Sequence, residues 1–127
     1  FTVMGKGCLT ASRGTYGRGK IEVVGHWSDN RKGVFREGKG YRGTATGEKG
    51  QASVGSYDGY EPLVDVIAKF FRTGEVPIDP NETIEIYAFM TAADESKNLG
   101  GSPVTLESVL AKAASQVEQR LAEFETD

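Results

Sequence analysis

The chain has 127 residues, with 38% apolar and 26% charged residues, one cysteine and one histidine. A length of this order corresponds to one domain or part of one, and the composition is that of a globular rather than a disordered protein. Single Cys8 and single His26 exclude an internal disulfide framework and any multi-cysteine or multi-histidine metal site. No apolar run reaches the length of a membrane span, and nothing at the N-terminus has the anatomy of a signal peptide. Phe1 in place of an initiating Met suggests a trimmed or excised segment.

Charge and glycine divide unevenly. Residues 1–60 carry a net charge of +5 and most of the seventeen glycines, whereas residues 61–127 carry −8. Because the basic residues are scattered, the asymmetry reads as a glycine-rich sheet followed by acidic amphipathic helices, not as a nucleic-acid arm.

Brief strands are expected at Phe1–Met4 and Cys8–Ala11 around a Gly5-Lys-Gly7 turn. Lys20–Trp27 alternates Ile21, Val23 and Gly25 on one face with Glu22, Val24 and His26 on the other, the pattern of a half-buried strand. Gly33–Arg36 and Tyr41–Thr46 are weaker strand segments, and most of Gly38–Gly55 reads as loop.

The second half is helical. Leu63, Val66, Ile67, Phe70 and Phe71 form one helix face that ends at Arg72 and Gly74. Asp79-Pro80-Asn81-Glu82 is a capping-box start to a second helix, apolar on most sides from Ile84 to Ala93 and so expected to be covered from more than one direction. After Gly100 and Gly101, Thr105 caps a third helix whose stripe is Leu106, Val109, Leu110, Ala113, Val117, Leu121 and Phe124. The expected fold class is therefore α+β: a partial, open-faced antiparallel sheet from residues 1–56, with about three helices from residues 57–127 packed against it.

Several motifs invite chemistry. Gly14 to Lys20 fits a GxxxxGK loop, but Ile21 replaces the hydroxyl residue and a strand follows, so it reads as a connection between strands. Gly5 to Thr10 begins like a dinucleotide fingerprint without its third glycine or its helix, so no nicotinamide site lies within this chain. His26 with Asp29 lacks the ligand number zinc needs; His26 reads either as a surface or structural residue or as an acid–base group. Cys8 reads as a small packing residue. Asn81-Glu-Thr83 fits a glycosylation sequon, yet its position suits helix capping. Tyr57-Asp-Gly-Tyr60 lies at a loop–helix junction, where the two hydroxyls could equally contact a ligand or simply reach solvent from packed rings.

One longer composite carries more information. Tyr60-Glu-Pro-Leu, Phe70-Phe71-x-Thr-Gly74, Pro77, Glu82-Thr-Ile-Glu-Ile, Ala88-Phe-Met-x-Ala-Ala-Asp94-Glu-Ser-Lys97 and the GSPVTL run from Gly101 to Leu106 resemble the C-terminal portion of Gfo/Idh/MocA-type oxidoreductases. Gly14–Phe35 resembles the family's preceding strands more loosely. The resemblance implies an N-terminal Rossmann domain binding NAD or NADP in the parent enzyme, followed by an α+β domain whose sheet shapes the substrate pocket and forms an oligomer contact. The family's Glu-Lys-Pro and Asp-x-x-x-His patterns are absent, so the catalytic lysine and histidine would lie upstream of Phe1. This chain would then contain no catalytic or cofactor-binding residue of its own. Tyr60, Tyr57 and His26 are the positions to which substrate contact carries over, although the family's glycine turn is altered here to Gly25-His-Trp-Ser-Asp. A parent dehydrogenase of a sugar or polyol, cytoplasmic or exported to the periplasm, is the expected whole. Its partners would be its own Rossmann domain and a second subunit through the sheet, with no nucleic acid and no membrane. The alternative is a free-standing, non-catalytic dimerisation or interaction module.

Overall fold

The computed structural model describes residues 3–40 and 42–124. Its fold is α+β, built around a four-stranded antiparallel sheet of order β3-β2-β1-β6, with a separate two-stranded hairpin and three helices. β1 (Cys8–Tyr16) and β2 (Lys20–Trp27) form a hairpin in which Tyr16 pairs with Lys20 across Gly17-Arg-Gly19. Both of these glycines have positive φ, +54° and +78°, a conformation that costs little only without a Cβ. The GxxxxGK spacing is thus a hairpin turn and opens no helix. β1 is longer than the expected Cys8–Ala11, because Ser12 to Tyr16 stay in register with β2. A bulge at Leu9 interrupts the pairing between Cys8 and Thr10.

β3 (Lys32–Arg36) pairs with β2, and the two-residue β6 (Val104–Thr105) pairs with Thr10 and Ala11 on the far edge of β1. The expected strand at Phe1–Met4 does not form over Val3–Met4, which are in a turn; Phe1 and Thr2 lie outside the described residues, as does Tyr41. Most of Gly38–Gly55 is not loop. β4 (Gly43–Gly47) and β5 (Gly50–Val54) form a regular hairpin there. Alternation of small and polar residues such as Thr44, Ala45 and Thr46 carries little hydrophobic signal, so backbone pairing alone marks these strands.

Alternation in β2 places Val23, Gly25 and Trp27 against the helices, as the pattern of residues required. α2 (Pro80–Asn98) crosses β1 through Ala88, Ala92, Ala93 and Ser96, all buried. Small side chains at these positions let helix and strand backbones approach closely. The Ser96 hydroxyl completes the contact by accepting the Arg13 backbone N–H at 2.9 Å. Asp79 caps α2 by accepting from the Asn81 backbone N–H at 2.9 Å. The Glu82 side chain makes no return bond to the cap residue among the described residues, so the box is half formed. α3 (Leu106–Phe124) begins with Thr105 Oγ1 accepting the Ser108 N–H at 3.2 Å, and buries Leu106 and Val109. Lys112 pairs with Glu95 of α2 at 2.7 Å.

α1 (Glu61–Thr73) ends as expected, with Gly74 at φ +71° donating its N–H to Phe70 at 2.8 Å. It buries none of its residues, so only α2 and α3 cover the sheet. α2 is covered by the sheet and, in part, by α3, as its apolar character requires, but Ile84, Tyr87 and Met90 remain exposed. Trp27 is the one large side chain in a buried core otherwise made of Cys8, alanines, valines and Leu106. Phe71, Tyr87, Leu121 and Phe124 lie outside it.

Candidate functional site

The segment before α1 brings together two of the three expected site residues. Gly59, at φ +80°, turns the chain so that Tyr60 becomes the residue preceding the helix, with its carbonyl accepting the Val64 N–H at 3.0 Å. The Tyr57 and Tyr60 rings meet edge to face with centroids 6.1 Å apart, and Ser56 Oγ donates to the Asp58 carboxylate at 3.3 Å. Tyr60 is 71% exposed, and with Glu61, Val64 and Asp65 it lines a shallow depression at the helix start. The Tyr60 hydroxyl and two carboxylates there can hydrogen-bond a polyhydroxy molecule.

His26 is elsewhere. It lies on β2 between Thr10 of β1 and Lys32 of β3, facing away from the helices, and no hydrogen bond joins it to either tyrosine. Its neighbour Asp29 is engaged by Arg31 at 2.5 Å, which dissolves the suspected His26–Asp29 pair. The same register puts Ser12, Val24 and Val34, and Glu22 and Arg36, on this open face. Glu22 and Arg36 pair at 2.6 Å, and the Arg36 guanidinium lies 5.4 Å from the Tyr16 ring centroid. The open face of the sheet is therefore largely polar.

Cys8 is buried, and burial together with the nearby Glu85 carboxylate pushes its thiol up to about 11. It is no nucleophile at neutral pH. Glu85 had escaped notice in the sequence. Its Oε1 accepts the backbone N–H groups of Gly7 and Cys8, at 2.8 and 2.7 Å, fastening the first loop to α2. Nothing in the local pattern of a helix reports a partner this distant in the chain. Lys6 and Asp79 form a second tie between the same two segments.

A further hollow lies between α2 and the β2–β3 half of the sheet, lined by Ile21, Phe35, Ile86, Phe89 and Met90 and closed at one end by the Arg13–Asp94 ion pair. Its chemistry is that of a surface for apolar contact. No group of three or more His, Cys, Asp or Glu residues that could hold a metal occurs among the described residues. Neither glycine loop fits a dinucleotide: Gly5–Gly7 leads into β1 and Gly17–Gly19 joins β1 to β2, so neither presents a helix N-terminus to a pyrophosphate. No helix among the described residues is long and apolar enough to cross a membrane. No protein-family model, no curated protein and no solved structure matches the chain.

Proposed function

We propose that this chain is the C-terminal α+β domain of a Gfo/Idh/MocA-type NAD(P)-dependent oxidoreductase. The complete enzyme would move a hydride between nicotinamide and a hydroxyl-bearing carbon of a sugar, polyol or similar compound. The cofactor supplies that chemistry, held by a Rossmann domain upstream of Phe1; the acid–base lysine or histidine would likewise lie upstream of Phe1. Tyr60 and Tyr57 would form part of the substrate wall, His26 would lie apart from them, and the chain alone would be inactive.

The observation carrying this reading is the uncovered apolar surface of the helical half. Leu63, Ile67, Phe70 and Phe71 on α1 and Ile86, Phe89 and Met90 beside the sheet form contiguous faces of the kind a neighbouring domain covers. Those faces belong to the segments whose residues resemble the family. The motif Ala92-Ala-Asp94-Glu-Ser96 acquires a structural account, since its members contact β1, Arg13 and Lys112. Of the ten basic residues in the first half, Lys6, Arg13, Arg31 and Arg36 are each paired with a carboxylate. Oligomerisation through the sheet would have to proceed by polar contacts.

The second reading, a non-catalytic interaction module in cytoplasm or periplasm, draws on the same apolar surface. The sequence encoded upstream of Phe1 separates the two. A glycine-rich βαβ unit followed by Glu-Lys-Pro is expected; a reading frame opening close to Phe1 would overturn the dehydrogenase reading in favour of the module. Reduction of NAD(P) by the isolated chain would refute its predicted inactivity.

A further inference from the structure

Helix α3 carries two unlike apolar surfaces end to end. Its first half forms, with α2, a shallow groove bounded by Ile84, Tyr87, Leu110 and Ala113. Its second half runs beyond that groove with Val117, Leu121 and Phe124 exposed by 55%, 57% and 80%. At about 100° per residue, Leu106, Leu110, Ala113, Val117, Leu121 and Phe124 fall on one stripe roughly 80° wide. Beyond Val109, α3 buries no described residue.

A two-fold contact between identical chains requires one patch to hold both a protrusion and its receptor. The α3 stripe does. When two α3 helices lie antiparallel with the axis at Val117, Phe124 of one copy faces Leu110 of the other, between its Ile84 and Tyr87. Leu121 faces Ala113, a large side chain against a small one, and the two Val117 side chains meet on the axis. Arg120 lies beside the stripe, opposite Ala114 of the second copy and one turn from its Glu118. Lys112 is held aside by Glu95.

We propose that α3 is an antiparallel dimerisation helix, and that the occupant of the α2–α3 groove is the C-terminal half of α3 from a second copy of this chain. The assembly is a four-helix cluster of two α2 and two α3 helices. Burying most of these exposed side chains removes roughly 600–800 Å² from each copy, or about 1,200–1,600 Å² in total, the size of a specific interface. This surface lies on the side of the chain opposite to the polar sheet face, and the proposal stands independently of the dehydrogenase reading.

Sedimentation velocity of the chain over a range of about 1 to about 100 µM tests it. The expected result is a dimer whose dissociation constant rises more than about tenfold in Val117→Glu and in Leu121→Glu. Both positions are exposed, so helical circular dichroism should stay unchanged. In a Cys8→Ala background, Val117→Cys should give a disulfide-linked dimer on oxidation. A mixture of Leu110→Cys and Phe124→Cys chains should cross-link to each other in preference to themselves. A chain that stays monomeric at the top of that range overturns the proposal. So does a dimer indifferent to both glutamates, or self-cross-linking of Leu110→Cys in preference to the mixed pair, which would mean parallel helices. Loss of the dimer in Phe71→Glu with Val117→Glu silent would transfer the contact to α1 and likewise overturn it.

Discussion

Gly25 on β2 and Phe89 on α2 stand so close that a Cβ on the glycine would lie 2.8 Å from the phenylalanine ring and 2.7 Å from the Trp27 indole. Gly33, the cross-strand partner of Gly25, is similarly overlaid by Trp27. The two glycines form a bare patch of sheet on which the indole lies flat enough for its Nε1 to donate to the Gly5 carbonyl at 2.8 Å. Gly25→Ala must displace two rings in a tight core and is expected to cost about 1–3 kcal/mol. Urea unfolding should show a lower midpoint with an unchanged slope.

One carboxylate oxygen of Glu85 accepts both the Gly7 and the Cys8 N–H groups. Glu85→Ala is expected to cost about 1.5–3 kcal/mol, while Glu85→Gln, which keeps an acceptor oxygen, loses less. Hydrogen exchange at Gly7 and Cys8 is the direct readout: fast in Glu85→Ala, slow in the parent chain.

Lys6 and the Asn81 N–H hold the Asp79 carboxyl below its ordinary 3.8. A depressed folded value means that the stabilisation is fully present above the unfolded value and is lost as the pH falls through the folded one. Stability of the parent chain should therefore decline on acidification below about pH 4–5, and that decline should be shallower in Asp79→Asn. The two proteins should converge at the acid end. Denaturant midpoints measured across this range check the slope; parallel curves would contradict the assignment.

With its thiol raised to about 11 and its side chain buried, Cys8 should react with an aromatic disulfide reagent only on unfolding. Labelling at neutral pH should be slow in the native chain and stoichiometric in denaturant. Rapid native labelling would contradict the placement of Cys8 in the core.

Tyr60→Phe removes a hydroxyl from an exposed ring, so thermal stability should change by no more than about 0.5 kcal/mol. In the complete enzyme the same change should lower kcat/KM roughly tenfold, as expected for one lost substrate hydrogen bond of about 1.4 kcal/mol, with nicotinamide affinity unaltered. An unchanged kcat/KM would remove Tyr60 from the substrate wall.

What was legible in the residues is what depends on near neighbours. The alternation Ile21-x-Val23-x-Gly25, the Leu63–Phe71 stripe, the Gly74 ending and the Asp79 and Thr105 caps all involve groups within one strand or two helical turns, and each took the expected local form. Burial did not follow from periodicity. The stripes of α1 and the second half of α3 are as regular as any in the chain, yet they are exposed, because cover depends on what another part of the protein brings to them. β4 overlaps the expected Tyr41–Thr46 segment, but β5 escaped because Gly50, Gln51, Ala52 and Ser53 report almost nothing about pairing. Glu85 and Ser96 look like ordinary helix residues until α2 is laid on β1, when they meet backbone groups 78 and 83 positions away in sequence. Local sterics and hydrophobic periodicity determined the three helices and the β2 strand from sequence alone. The approach of distant segments decided which face is polar, which thiol is buried and which helices remain uncovered, because those properties arise only from packing.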